Sequence, residues 1–286
     1  MFGQVAKWFQ VTQPFSFSAL RRYNNSCMAR RLFYVDQIAG DHAEIRDQEA
    51  HHLVRVLRVE VGQVYEISDQ TSFYLAEITK VQKALVTFHI KEKLQTPPQS
   101  LNVTLYASLF KFDHFEWMLE KVTELGVTAI QPVITERSEK GTEVSVPKRT
   151  VGTRTVGTET SVPKRMERWQ RILHESGQQS RRLRIPAFHS AIALRKAIDT
   201  ATGLRLLLDE KKGIPSLLTC LPNPADDISL LLGPEGGWTD RERESILAAG
   251  WIACSLGPNV LRAETAAIAA LSVISVWAMG QQTDTL

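Results

Sequence analysis

A chain of 286 residues suits two domains and can bury a sizeable core, and its 43% hydrophobic content is an ordinary globular fraction. The formal net charge of +3 permits an RNA partner without demanding one. Three widely separated cysteines, Cys27, Cys220 and Cys254, exclude a disulfide framework or a zinc-binding spacing and point to a reducing cytoplasm.

Residues 1–35 contain no acid, and Arg21 and Arg22 lie among them. An acid-poor, Arg-bearing start has the composition of an organelle transit peptide; the reading favoured here is a true start at Met28, with residues 1–27 an extension outside the fold. Residues 47–58 predict a short helix, with Leu53, Val54 and Leu57 on its apolar side. Alternation and β-branched residues predict strands at 63–68, 73–81 and 84–93, with a turn at Asp69-Gln70-Thr71-Ser72. Residues 28–98 thus read as a small, mostly β unit. Arg30, Arg31, Arg55 and Arg58 are its candidate phosphate contacts, although surface arginines are usually only solvated. His51 and His52 read as a helix start packed on the unit rather than as chemistry.

Pro97-Pro98 marks a linker, because neither residue donates a backbone hydrogen bond. Beyond it, over 99–286, strands alternate with helices. Strands are predicted at 101–109, 127–134, 183–188, 205–208, 228–232 and 251–256. Helices are predicted at 113–125, 166–176, 192–200, 240–249 and from Glu264 onward. This alternation predicts an α/β domain with a parallel sheet covered on both faces. Residues 141–165 interrupt it. Gly141 to Arg149 recur as Gly157 to Arg165 with one difference, Val144 against Thr160, which reads as an inserted loop born of a slipped duplication. The run 266–279 is apolar nearly all round, which predicts a buried helix; it is too short to span a membrane.

The stretch Leu232-Gly233-Pro234-Glu235-Gly236-Gly237-Trp238-Thr239 follows an apolar strand and precedes a helix. Thr239 and Glu242 have capping-box spacing. In open α/β sheets ligands bind where loops leave the carboxyl ends of strands, and glycines let a flat ligand approach the backbone. No Lys-Ser/Thr pair follows the glycines, and Glu235 would repel a phosphate, so a neutral or cationic ligand fits better. A second loop, Leu256-Gly257-Pro258-Asn259-Val260-Leu261-Arg262-Ala263-Glu264-Thr265-Ala266, comes about twenty residues later.

G-P-E-G-G followed by L-G-x-x-V-L-R-x-E-T-A resembles the SPOUT methyltransferases. More closely, the chain is similar to the bacterial family that methylates N3 of a uridine in 16S ribosomal RNA. Further matches are T-E-R-S at Thr135 to Ser138, K-x-x-E-L-G-V at Lys121 to Val127, and H-H-L-x-x-V-L-R at His51 to Arg58. Glu175, Gln179, Ser180 and Arg182 fit a family pattern in which Ser176 replaces the usual alanine. Members also typically begin as Met28-Ala29-Arg30-Arg31-Leu32 does here, so the likeness runs from about Met28 to the C-terminus.

The resemblance implies a knotted SPOUT-type domain preceded by a PUA-like barrel that helps hold RNA. It implies S-adenosyl-L-methionine as cofactor, no metal, 16S rRNA as partner (free or within the small ribosomal subunit), a homodimer, a cytoplasmic location and no membrane. It directs the cofactor to Leu232, Gly233, Glu235, Gly236, Leu256, Gly257, Val260, Leu261 and Thr265. N3 of uridine carries a proton at neutral pH and lies on the pairing edge. The reaction therefore needs an unpaired or flipped base, a group to take the proton, and cations for the uracil anion that develops. Arg137, Arg182 and Arg262 are the candidate clamps, and Glu264 or Glu175 the candidate base. Two other functions stay open on sequence: a SPOUT enzyme acting on another RNA position, such as a ribose hydroxyl, and a non-catalytic rRNA-binding assembly factor.

Overall fold

The computed structural model describes residues 31–96, 101–138, 162–222 and 225–283. The expected N-terminal extension, Arg30 and all but the end of the repeated insert lie outside these residues.

The small unit is one six-stranded sheet. In chain order its elements are β1 (Leu32–Tyr34), β2 (Gln37–Ala39), β3 (His42–Arg46), α1 (Asp47–Arg55), β4 (Val64–Ser68), β5 (Phe73–Gln82) and β6 (Leu85–Lys93). The strand order is β1-β4-β5-β6-β3-β2. Phe33, Ile45, Leu53, Ile67, Ile78 and Phe88 form its core. The expected turn is present: Asp69 Oδ1 accepts from the amides of Thr71 and Ser72, each at 2.8 Å. Three strands escaped the sequence reading. The first two span three residues each, too short for a period of two to register. The helix also ends at Arg55, not at residue 58, and Arg58 takes a positive φ of 51°.

The larger unit is a parallel sheet in the order β10-β8-β7-β12-β11-β13. Its elements run β7 (Asn102–Ser108), α2 (Phe112–Glu124), β8 (Ala129–Ile134), α3 (Val162–Gln179), β9 (Ala187–Phe188), β10 (Ile192–Ala193) and α4 (Leu194–Thr200). They continue with β11 (Leu204–Leu208), α5 (Leu217–Cys220), β12 (Asp227–Leu232), α6 (Asp240–Ala248), β13 (Ile252–Cys254) and α7 (Ala263–Thr283). Both faces are covered. Leu230 packs with Phe115, Met118, Trp169 and Ala270, whereas its neighbour Leu231 packs with Tyr106, Val133, Ile246 and Trp251. A strand buried on both sides is apolar at nearly every position; the one polar residue within 228–232, buried Ser229, donates its hydroxyl to Thr202 O at 2.7 Å.

Three expectations change here. The strand expected at 183–188 shrinks to Ala187–Phe188, because the residues before it face the small sheet: Leu183 O accepts from Ser68 Oγ at 2.7 Å, and Arg184 Nε donates to Gln70 O at 2.8 Å. The insert's second copy does not end as loop. α3 begins at Val162, and the Arg165 guanidinium lies 3.6 Å from the Phe112 ring centroid. The apolar C-terminal helix is longer than the run suggested and, by length and composition alone, could cross a membrane. It is also not buried all round as expected: Ala267, Ala270, Leu271 and Ile274 pack in the core, whereas Val276 and Met279 are exposed.

A joint holds the two sheets together. Arg181 forms a two-pronged ion pair with Glu66, Gln178 Nε2 donates to Glu49 Oε1 at 2.8 Å, and Tyr34 Oη donates to Arg182 O at 2.9 Å. Burial raises the Tyr34 hydroxyl pKa well above its ordinary value, so it stays a donor. Gly177 makes the approach possible: a Cβ there would sit 2.6 Å from Tyr34 Oη.

Candidate functional site

At the carboxyl ends of β11, β12 and β13, three loops and the start of α7 enclose a cavity of about 630 Å³, within the range of small-molecule sites. Asp209 and Glu210 come from the first loop. Gly233, Pro234, Glu235, Gly237 and Trp238 come from the second, and Ser255 to Gly257 with Asn259 to Arg262 from the third. Lys111 and His114, at the start of α2, complete the wall. Parallel strands aim their loops at one edge, so the order of the sheet brings the two glycine motifs to one place.

The second loop is held rigidly. The capping box forms as the spacing required: Glu242 N donates to Thr239 Oγ1 at 3.2 Å, and Thr239 N donates to Glu242 Oε2 at 3.0 Å. The other carboxylate oxygen of Glu242 accepts from Glu136 N at 2.9 Å, which ties the T-E-R-S segment to the same loop. Trp238 Nε1 donates to Leu208 O at 3.1 Å, and a Cβ at Gly233 would meet the Trp238 ring at 3.0 Å. On the neighbouring loop, Arg243 Nε donates to Asp209 Oδ2 at 2.6 Å. Burial pushes the Asp209 carboxyl up, but the Arg243 guanidinium and the amides of Lys211 and Glu210 outweigh it and hold the group below the ordinary carboxylate value. Cys254 also lines the cavity; burial pushes its thiol up to about 12, so it is neutral and inert.

One cluster of side chains was not foreseen. His114 Nδ1 lies 3.4 Å from Glu235 Oε1 and 3.5 Å from Glu264 Oε1, joining α2, the glycine loop and α7. Glu264 is 3% exposed, and its Oε2 has no hydrogen-bond partner among the described residues. The three donor atoms lie within 4.8 Å of one another, a spacing that a cation can also use.

Of the residues expected from sequence, Leu232, Gly233, Glu235, Leu256, Gly257, Val260, Leu261 and Arg262 line the cavity. Gly236 does not. Its carbonyl accepts from Arg137 Nη1 at 2.6 Å, and a Cβ there would meet the Arg137 side chain at 3.2 Å, so that glycine makes room for Arg137. Thr265 is exposed outside the wall, and Glu264 lies behind His114. Glu175 and Arg182 are not brought to this cavity. Glu175 is exposed on α3, while Arg182 Nη1 donates to Thr123 O and Val127 O at 2.9 and 2.5 Å, closing the end of α2. Burial holds the Arg182 pKa below the usual guanidinium value. Arg31, Arg55 and Arg58 are exposed and form no ion pair among the described residues.

Sequence reasoning missed Lys111, His114, Asp209, Glu210 and Asn259. Position was the available signal, since Lys111 and His114 follow directly on a central strand and Asp209 ends another.

Comparison with known proteins agrees with this geometry. A model described as an RNA methyltransferase domain matches residues 97–152 and 149–275, and one described as an RNA methyltransferase PUA domain matches residues 45–91. The chain is 32% identical over 257 residues to the Ribosomal RNA small subunit methyltransferase E of Synechocystis sp., covering 87% of this chain and 78% of that protein. It is 30% identical over 245 residues to the protein of that name in Bacillus subtilis, covering 81% and 88%. Among solved structures, a Ribosomal RNA small subunit methyltransferase E from Neisseria gonorrhoeae, bound to S-adenosyl methionine, superposes with a TM-score of 0.74 at 29% identity, covering 87% of this chain and 98% of that one. A putative methyltransferase from Legionella pneumophila with bound cofactor gives the same TM-score at 28% identity and the same coverage.

Proposed function

Because the chain belongs to the RNA methyltransferase family, we propose that its cavity holds S-adenosylmethionine and that N3 of a uridine in 16S rRNA receives the methyl group. The protein is an S-adenosylmethionine-dependent rRNA methyltransferase. One observation carries the reading of the site: the two glycine loops singled out by motif both line one cavity at the carboxyl edge of the sheet. The wall suits the cofactor. Its adenine is flat and apolar, and Leu232, Leu256, Val260 and Leu261 offer apolar surface beside free backbone. Its sulfonium is cationic, and Glu235 with Asp209 and Glu210 supplies negative charge. The bound cofactor supplies an activated methyl group, so the protein has to orient the base and manage one proton.

Arg262 stands at the rim with its guanidinium outside any ion pair among the described residues, and it serves as the clamp for the uracil anion. Arg137, anchored on Gly236 O beside the same loop, is the second cation within reach of a bound base. Glu264 adjoins the cavity behind His114 and has one oxygen without a partner, which favours it over the distant Glu175 as the acceptor of the N3 proton. Arg182 acts at a distance, by fixing the end of α2.

The remaining parts follow as proposals. Residues 28–98 form the RNA-holding module, with Arg30, Arg31, Arg55 and Arg58 on phosphates, and residues 99–286 form the knotted methyl-transfer module. Val276 and Met279 on α7 are 70% and 67% exposed, and Trp117 on α2 is 48% exposed, so these packed helices keep apolar surface for a second copy of the chain. The enzyme acts in the cytoplasm on 16S rRNA within the small subunit or before assembly.

Incubation of unmodified small-subunit rRNA with the protein and S-adenosylmethionine, followed by mass spectrometry of the nucleosides, tests the function. The expected product is 3-methyluridine. A ribose-methylated nucleoside would move the activity to another RNA position, and cofactor binding without any product would leave an assembly factor.

A further inference from the structure

The outer face of the small sheet carries a cluster of side chains that the methyl-transfer scheme does not use. β2 and β3 are joined by the two-residue turn Gly40-Asp41, in which Gly40 takes a positive φ of 63°. His42 opens β3 and stands directly opposite His89 on β6, on the face turned away from the core residues Ala43, Ile45 and Phe88. The two rings lie with their centroids 5.7 Å apart. The Asp41 carboxylate reaches both: Oδ1 contacts His42 Nδ1, and Oδ2 is 3.4 Å from His89 Nδ1. One nitrogen of each imidazole and one carboxylate oxygen lie within 4.8 Å of one another. The backbone fixes this arrangement, because Asp41 O accepts from Ile90 N at 2.7 Å and so ties the turn to the strand beside His89.

Two imidazoles and one carboxylate are a ligand set for a borderline transition metal such as zinc, whereas magnesium and calcium take oxygen ligands. Tetrahedral zinc with bonds of about 2.0 Å holds neighbouring donors about 3.3 Å apart. The separation between His89 Nδ1 and Asp41 Oδ2 is close to that value. Neighbouring charges do not compete for the cluster. Arg46 is paired with Glu44, and Lys91 with Glu77, the residue opposite His89 on β5. Among the described residues, Asp41 has no lysine or arginine partner.

We propose that Asp41, His42 and His89 form a zinc-binding site on the outer face of the small sheet, in which the ion clips the β2–β3 turn to β6. Each neutral imidazole gives a nitrogen lone pair, the ionised carboxylate gives one oxygen, and water takes the remaining position. β2 is a three-residue edge strand paired with β3, so a tie from its turn to β6 holds down the end of the sheet. The metal takes no part in methyl transfer, because no residue of the small sheet lines the cavity. The inference therefore stands apart from the reading of the cavity as the S-adenosylmethionine site.

The test is calorimetric titration of zinc chloride into the chelator-stripped full chain, at a pH about one unit above the ordinary imidazole value, where free imidazole is neutral. It uses wild type, Asp41→Asn, His42→Ala, His89→Ala and, for the cluster in the cavity, His114→Ala. Melting temperatures are recorded with zinc and with chelator. Wild type and His114→Ala are expected to take up an ion at the same affinity, and zinc raises their melting temperatures. The other three variants bind about a hundredfold more weakly and gain no thermal stability from zinc. With chelator they melt near wild type, because the substituted side chains are largely exposed. Magnesium in place of zinc gives no binding heat at this site. A wild type that takes up no zinc overturns the site, as does wild-type zinc affinity in both His42→Ala and His89→Ala. Zinc binding lost in His114→Ala and kept in the other three overturns it as well, by moving the ion to the cavity.

Discussion

The cavity rim and the joint between the sheets carry chemically similar residues and use them in opposite ways. At the joint, the guanidinium of Arg181 is occupied by Glu66 and that of Arg182 by two main-chain carbonyls. At the rim, Arg262 faces the cavity without an ion pair among the described residues. The carboxylates divide in the same manner: Glu66 has both oxygens engaged, whereas Glu264 keeps one open. An arginine or glutamate whose donors or acceptors are already satisfied holds the fold. One left open beside a cavity can act on a ligand.

The largest expected effect falls on the open side. Arg262→Ala should lower the methylation rate by about a hundredfold or more, the usual loss when a donor to a developing anion is removed, while rRNA affinity and melting temperature stay near wild type. Single-turnover kinetics beside a binding isotherm separate the two; a variant that methylates at the wild-type rate would make Arg262 structural.

Arg182→Ala should show the converse. Val127 O loses the guanidinium and Thr123 O keeps only the Gly126 amide, which costs about 2 kcal/mol, or a fall of about 4 to 8 °C in melting temperature. Cofactor affinity of the folded fraction should hold. A stable variant that loses turnover alone would return Arg182 to the catalytic group.

A smaller effect concerns pH. The Asp209 carboxyl is held below its ordinary value, so its pairing with Arg243 stabilises the fold fully above the ordinary carboxylate range and is lost as pH falls through the depressed value. The melting temperature of wild type should therefore drop more steeply below about pH 4 than that of Asp209→Asn. Parallel curves would show that the pair adds nothing.

The division between open and occupied groups marks what was legible beforehand. Periodicity found nearly every element of the parallel sheet, since strands buried on both faces and amphipathic helices leave strong patterns. The capping box at Thr239 and the turn at Asp69 were readable because each is a local exchange of hydrogen bonds within a few residues. The strands before residue 47 were not, because they span only three to five residues and carry too little pattern. Motif resemblance located the two cavity loops but could not separate Gly233 from Gly236. That difference lies in what each faces, Trp238 for one and Arg137 for the other. His114 was invisible for the same reason: its partners lie 121 and 150 residues further along the chain (235 − 114 and 264 − 114) and meet it only in the fold.

The central claim is that the walls of this cavity, and not the glycine motif as a whole, make the cofactor site. Calorimetric titration of S-adenosylmethionine against wild type, Gly233→Ala and Gly236→Ala tests it most directly. The added methyl at Gly233 has to displace a buried tryptophan ring, an overpacking of about 1 to 3 kcal/mol, and should weaken binding by about tenfold or more. The methyl at Gly236 displaces only the exposed Arg137 stem and should leave affinity near wild type. The reverse pattern, full affinity in Gly233→Ala and loss in Gly236→Ala, would contradict the account and move the cofactor to the Arg137 side of the loop.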